Sequence, residues 1–247
     1  MVDAIQFQCR NSSYSCLDIA RNQKTPLTNQ YYLIYDRSTC NHSKPSYFVV
    51  YCDFTSQPGY AWTLIESFSR NNRRHSSIDR GFAHSTSANS YNPRNNWSLY
   101  RMSRDHIFFV YDRYRSLSPR PLWRATCNFL SLSRPFSSLP RDVMYSSFDS
   151  FNILSIPNIG TCITLDYLNI RGYVSTSRSF YFYSGGTNYH FYLYAYQTRR
   201  RCDYYNIPGS NTYDNYFGHY STYHSEFSCS RSGSSTTNWW IGSKIHQ

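Results

Sequence analysis

Lysine, glutamate and alanine are scarce in this chain. Of 247 residues only 16% are charged; the lysines are Lys24, Lys44 and Lys244, and the glutamates are Glu66 and Glu226. Lys and Glu are favoured on helix surfaces, so their scarcity points to strands and loops. With no heptad of apolar positions, a coiled coil is excluded. No run of 18 apolar residues occurs, so the sequence predicts no membrane-spanning helix. Enzyme signatures are missing too: there is no nucleophile elbow, no His-Glu-x-x-His, no phosphate-cradling glycine loop and no dinucleotide fingerprint. Neither glutamate sits in a recognisable catalytic motif. The expectation is a non-enzymatic protein without a cofactor.

What is abundant is aromatic. Rings make up 19% of the chain, with 26 Tyr, 16 Phe and 5 Trp, a composition opposite to that of a disordered segment. The length is enough to bury a sizeable core. Net charge is +11, and all but three of the 25 basic residues are arginine. Planar guanidinium groups suit anions that accept in a bidentate way, such as sulfate, phosphate and carboxylate. Charge alone permits nucleic acid, sulfated glycan or acidic protein as partner.

The eight cysteines are Cys9, Cys16, Cys40, Cys52, Cys127, Cys162, Cys202 and Cys229. None form a C-x-x-C pair or a zinc-finger spacing with His, so they read as four disulfides formed in an oxidising compartment rather than a metal site. Eight buried thiols in a reducing compartment are the alternative. Sequons at Asn11, Asn41 and Asn96 are compatible with a secreted glycoprotein. The opening nine residues, Met1 to Cys9, lack a basic segment followed by an apolar run, so a secreted form would be a mature chain or a fragment. The disulfide reading disfavours nucleic acid as partner.

Along the chain, Tyr31-Tyr-Leu-Ile-Tyr35 and Ser46 to Phe54 read as a hairpin with a long loop. The turn Gln57-Pro-Gly59 then leads into a strand, Ala61-Trp-Thr-Leu-Ile-Glu66. Residues 67–96 read as an exposed polar loop carrying Arg70, Arg73, Arg74 and His75. A short helix is expected at 98–104, and strands at 106–112, 122–129 and 163–171. A hairpin is expected from Tyr181-Phe-Tyr183 to Tyr189–Tyr196 around Ser184-Gly-Gly-Thr187. With no repeat and no linker, one domain over 1–247 is expected, with an N-terminal subdomain at 1–66 and the remainder at 67–247.

Four motifs occur in a fixed order: Ser15-Cys-Leu-Asp-Ile19, the tyrosine-rich strand at 31–35, Tyr51-Cys-Asp-Phe54 and Trp62-Thr-Leu-Ile65. This order resembles the start of fibrinogen-like domains, and intelectins open similarly. Asp214-Asn-Tyr216, Cys229 and Trp239-Trp240 are similar to that family's Asp/Asn-rich loop, cysteine and double tryptophan near the ligand site. Trp123 to Phe129 together with Ser234 to Trp240 resembles a divergent cnidarian branch of secreted fibrinogen-related proteins, some of them from skeletal matrix. Ala61 replaces the glycine of the family's Gly-Trp-Thr, and Asp203 and Asp214 lie eleven residues apart instead of in a close Asp-x-Asp loop. The resemblance implies an α+β, β-rich fibrinogen-like fold with a mixed sheet, long loops and a Cys16–Cys52 disulfide.

Candidate ligand-binding residues are Arg199, Arg200, Arg201, Tyr216, His219, Trp239 and Trp240, the tryptophans for stacking on a sugar face. The tryptophans could equally pack in the core, and the arginine clusters could be solvated loop charge. Asp203, Asp214 and Asn215 offer calcium two or three oxygens, short of the roughly six to eight it takes. Chain proximity suggests Cys127–Cys162 and Cys202–Cys229. Cys9 and Cys40 then pair with each other, or Cys9 links chains. The expected function is recognition of a glycan or another polyanionic extracellular surface by a homo-oligomer. The rival is a matrix or filament subunit that self-assembles through its Tyr/Arg-rich surface.

Overall fold

Runs of aromatic and β-branched residues build the first strands of the computed structural model. It describes residues 13–23, 26–35, 47–78, 82, 94, 96–118, 120–131, 143–147, 161–182, 217–218, 220 and 227–246, without the side chains of 161–163 and 179–182. Strand β1 (Gln30–Tyr35) runs antiparallel to β2 (Tyr47–Asp53), from Gln30 opposite Cys52 to Tyr35 opposite Tyr47. Ile34, Phe48, Val50 and Cys52 are buried, as alternation on one core-facing side requires. Strand β3 (Tyr60–Ser69) follows the expected turn.

Helix α1 (Cys16–Asn22) starts at Ser15, whose hydroxyl accepts from the Asp18 N–H at 3.2 Å. Seven residues make a helix too short to stand alone. The Cys16–Cys52 disulfide staples it to β2, and this is the pairing the resemblance implies.

Residues 98–117 invert the expectation. Leu99–Arg101 is a short strand, β4, paired with β3, and Arg104–Leu117 is a helix, α2, capped by Ser103. Ile107, Val110, Tyr111 and Tyr114 are the buried residues of α2. Their i, i+3, i+4, i+7 spacing is a helical stripe, disguised in sequence by Phe108 and Phe109, which make 107–111 look like a continuous apolar strand.

The sheet continues with β5 (Leu122–Cys127), β6 (Val143–Ser147), β7 (Thr161–Ile170), β8 (Tyr173–Phe182) and β9 (Thr236–Lys244). Its order is β1-β2-β3-β9-β5-β6-β7-β8, with β4 beside β3. All pairings among the described strands are antiparallel, which corrects the mixed sheet. Sequence neighbours such as β1–β2 and β7–β8 return on each other directly, whereas parallel neighbours need a long crossover. The β7–β8 turn is Arg171-Gly172, both with positive φ (52° and 85°), the geometry of a tight two-residue hairpin. The hairpin expected around 184–187 lies outside the described residues. No helix among the described residues is long and apolar enough to cross a membrane.

The latest strand in sequence, β9, sits in the middle, pairing with β3 on one side and β5 on the other. At Gly242, opposite Trp62, a Cβ would lie 2.7 Å from the Ala61 carbonyl oxygen and closer still to the Trp62 ring, so the two strands meet only because the residue is glycine. Part of the expected polar loop turns inward: Ser67–Ser69 still belong to β3, and Ile78 and Phe82 are buried. The Phe82 ring lies 5.4 Å from both Trp123 and Trp239.

The disulfide of β5 is Cys127–Cys229, which corrects both Cys127–Cys162 and Cys202–Cys229. Cys229 lies in the short turn (Ser228–Ser230) that precedes β9, the neighbour of β5, while Cys162 lies on β7, two strands from β5. Strands spaced about 4.8 Å apart put a cysteine two strands away near 10 Å, beyond disulfide reach. Cys9, Cys40 and Cys202 lie outside the described residues. Peptide mapping under non-reducing conditions should recover a Cys127–Cys229 peptide; a Cys127–Cys162 peptide would contradict this strand order.

Candidate anion-binding site

Three acids are consumed inside the molecule. Asp53 is fully buried and its Oδ2 lies 2.8 Å from Nη2 of Arg124, whose Nη1 donates to the Ser56 hydroxyl at 3.0 Å. The backbone N–H groups of Thr55 and Ser56 and the Ser56 hydroxyl also donate to this carboxylate. Burial alone would raise the Asp53 pKa, but the Arg124 guanidinium and the Ser56 hydrogen bonds outweigh it and hold the carboxyl below its ordinary value. Arg124 is itself sandwiched, 4.3 Å from the Trp62 ring centre and 4.6 Å from that of Trp240.

Glu66 pairs with Arg101 at 3.2 Å, both side chains fully buried. Burial lowers the Arg101 pKa, and Glu66 opposes that shift. Asp18 takes a bidentate contact from Arg113, at 3.0 Å from Nε and 2.5 Å from Nη2, and that hydrogen bonding raises the arginine further. These pairs remove three of the 25 basic and three of the 14 acidic residues, leaving 22 cations against 11 anions elsewhere in the chain. The whole +11 therefore belongs to the rest of the molecule.

Part of that excess gathers at one end of the sheet. The turn that follows β3 is joined to the loop that precedes β9: the Arg70 N–H donates to the Ser235 carbonyl at 2.8 Å, and the Asn71 N–H to the Gly233 carbonyl at 3.0 Å. These two segments carry Arg73, Arg74, His75 and Arg231, of which Arg74, His75 and Arg231 are exposed and Arg73 half-buried. Neither 70–78 nor 228–236 contains an acid. Of the expected cluster, Arg70 is buried, and Arg73 donates from Nη1 to the Arg70 carbonyl at 3.0 Å, which holds the turn. Sequence reading missed Arg231 because no cation adjoins it in the chain; only the β3–β9 pairing brings it to the others.

The tryptophans go elsewhere. Trp239 and Trp240 are both fully buried, and their indole N–H groups donate inside, to the Phe217 carbonyl and the Thr126 hydroxyl, each at 2.9 Å. Successive residues of a strand point to opposite faces, and β9 is covered on both, so neither ring can stack on a sugar. This corrects their placement as ligand residues. Several tyrosines are also core: Tyr114 is buried with its hydroxyl 3.0 Å from Thr63 Oγ1 and 3.1 Å from the Ala61 carbonyl, and burial raises its pKa. Burial, with the charge of Asp53, pushes Tyr51 to about 12.

Arg199, Arg200, Arg201, Tyr216, His219, Asp203, Asp214, Asn215, Asn11 and Asn41 lie outside the described residues. Asn96 is exposed, and its Oδ1 accepts from the Ser98 N–H and hydroxyl at 3.0 and 2.6 Å. Among the described residues no three His, Cys, Asp or Glu side chains gather as a metal cage. No family model matches this chain, and neither a curated protein nor a solved structure matches it.

Proposed function

We propose that this is a secreted, non-enzymatic, fibrinogen-related recognition protein that binds polyanionic glycans through the joined basic loops. The observation that carries the reading is the partition of charge: carboxylates are paired with arginine in the interior, and Arg74, His75 and Arg231 stand exposed on two acid-free segments. Sulfate esters present pairs of oxygens that the planar guanidinium fork can bind in a bidentate way. The two disulfides fit an oxidising compartment.

A glycan array at physiological salt, with calcium and then with chelator, tests this. The expected hits are sulfated glycans, retained on chelation and weakened by added salt. Arg74→Ala with Arg231→Ala should weaken them by about two- to thirtyfold, the range of two exposed charge contacts. A blank array, or hits indifferent to both salt and this variant, would sink the proposal.

A further inference from the structure

The sequon Asn96-Trp97-Ser98 forms the turn that leads into β4. Asn96 is exposed, and the Leu99 N–H closes the turn on its carbonyl at 3.3 Å. One end of its side-chain amide is in use: Oδ1 takes both the N–H and the hydroxyl of Ser98. The other end, Nδ2, is the atom to which a sugar is joined, and no hydrogen bond holds it among the described residues.

The rest of the sequon is anchored. The Trp97 indole donates to the Tyr31 hydroxyl at 2.7 Å, and its ring stacks on that of Phe129 with centres 6.2 Å apart. The Trp97 carbonyl accepts from the Ser67 hydroxyl. The Ser98 carbonyl accepts from the Ser69 N–H at 2.8 Å and from Nδ2 of Asn72 at 2.7 Å. Both carbonyls are thus tied to the end of β3 and to the turn that bears Arg73 and Arg74. Asn96 stands out from this fixed base, beside the basic site.

We infer that Asn96 carries an N-linked oligosaccharide, a step that rests on the secreted part of the proposed function. The donor class is a lipid-pyrophosphate-linked oligosaccharide of the secretory pathway. A bond forms from Nδ2 to C1 of the first sugar as the C1–O bond to the pyrophosphate breaks. Nδ2 gives up one proton, the pyrophosphate leaves with the electron pair, and nothing is oxidised or reduced. Oδ1 stays a carbonyl oxygen, so both Ser98 contacts survive the modification. A sequon by itself is a weak signal; the fold supplies the stronger one, because a bulky sugar must remain at the surface of the finished molecule. An amide such as that of Asn238, fully buried with Oδ1 and Nδ2 both bonded inside, has no room for one.

Peptide mapping by mass spectrometry tests this on the full chain, routed through the secretory pathway of a eukaryotic host by an added signal peptide. The peptide containing Asn96 should carry the mass of an oligosaccharide and lose it to peptide N-glycosidase, which leaves a carboxylate in place of the side-chain amide. Ser98→Ala should abolish the modification and Ser98→Thr should keep it, with circular dichroism verifying that both variants fold. An unmodified Asn96 in the secreted chain, sugar only at Asn11 or Asn41, or a mass that survives Ser98→Ala would each overturn the inference. The outcome is separable from the glycan array: a blank array with Asn96 modified removes the ligand and leaves this site, and sulfated hits with Asn96 bare do the reverse.

Discussion

Asp53→Ala should lower the free energy of unfolding by about 3–5 kcal/mol at neutral pH, measured by urea denaturation, because removing one partner of a buried ion pair strands the other charge in a low-dielectric site. Arg124 would remain between Trp62 and Trp240 without its carboxylate, and the Ser56 N–H would lose the Asp53 oxygen it donates to, while the Thr55 N–H keeps Asn29 Oδ1 at 3.1 Å. Acid should reveal the same pair in the wild type. The folded-state pKa of Asp53 is depressed, so its contribution is fully present above the unfolded value near about 3.9 and is lost as pH falls through the lower folded value. Asp53→Ala should therefore show a shallower loss of stability on that acid limb. A variant within about 1 kcal/mol of wild type would mean that the pair is not buried as described.

Trp240→Ala should be of comparable size, about 3–5 kcal/mol, the usual cost of emptying a buried aromatic site. The ring lies 4.5 Å from Phe129 and 6.2 Å from Tyr51, covers Arg124, and supplies the Thr126 hydroxyl with a donor. Calorimetry should show the fall in Tm, while sulfated-glycan binding by the fraction that remains folded should be unchanged. Lost binding in a fully stable variant would return Trp240 to the ligand site. Since Asp53 and Trp240 both act on Arg124, the two substitutions should not add, and the double variant should cost less than the sum.

Both expectations concern interactions that the sequence displays only in halves. The strands of the N-terminal region are legible because runs of aromatic and β-branched residues stand between turn residues, and the structure has them at 30–35, 47–53 and 60–69. The region from 98 to 117 misleads because Phe108 and Phe109 fill the gap in a helical stripe and make 107–111 resemble a continuous apolar strand. The Cys127–Cys229 link and the Asp53–Arg124 pair are set by which strands become neighbours, at separations of 102 and 71 residues, and local pattern carries no information about that. The basic site was partly legible: Arg73, Arg74 and His75 stand together in the chain, whereas Arg231 joins them only through the β3–β9 register.

The central place of β9 also bears on how the chain reaches this state during synthesis. While a ribosome is still making residues before Thr236, β1–β4 and β5–β8 can exist only as two separate half-sheets, each exposing an unpaired inner edge at β3 or β5. Trp62 and Trp123, fully buried in the finished sheet, lie on those edges opposite Gly242 and Ile241. The nascent chain must therefore carry two sticky, aromatic edges until β9 has emerged, a long-range closure that is slow and favours aggregation. Chaperone protection would be needed most during that interval.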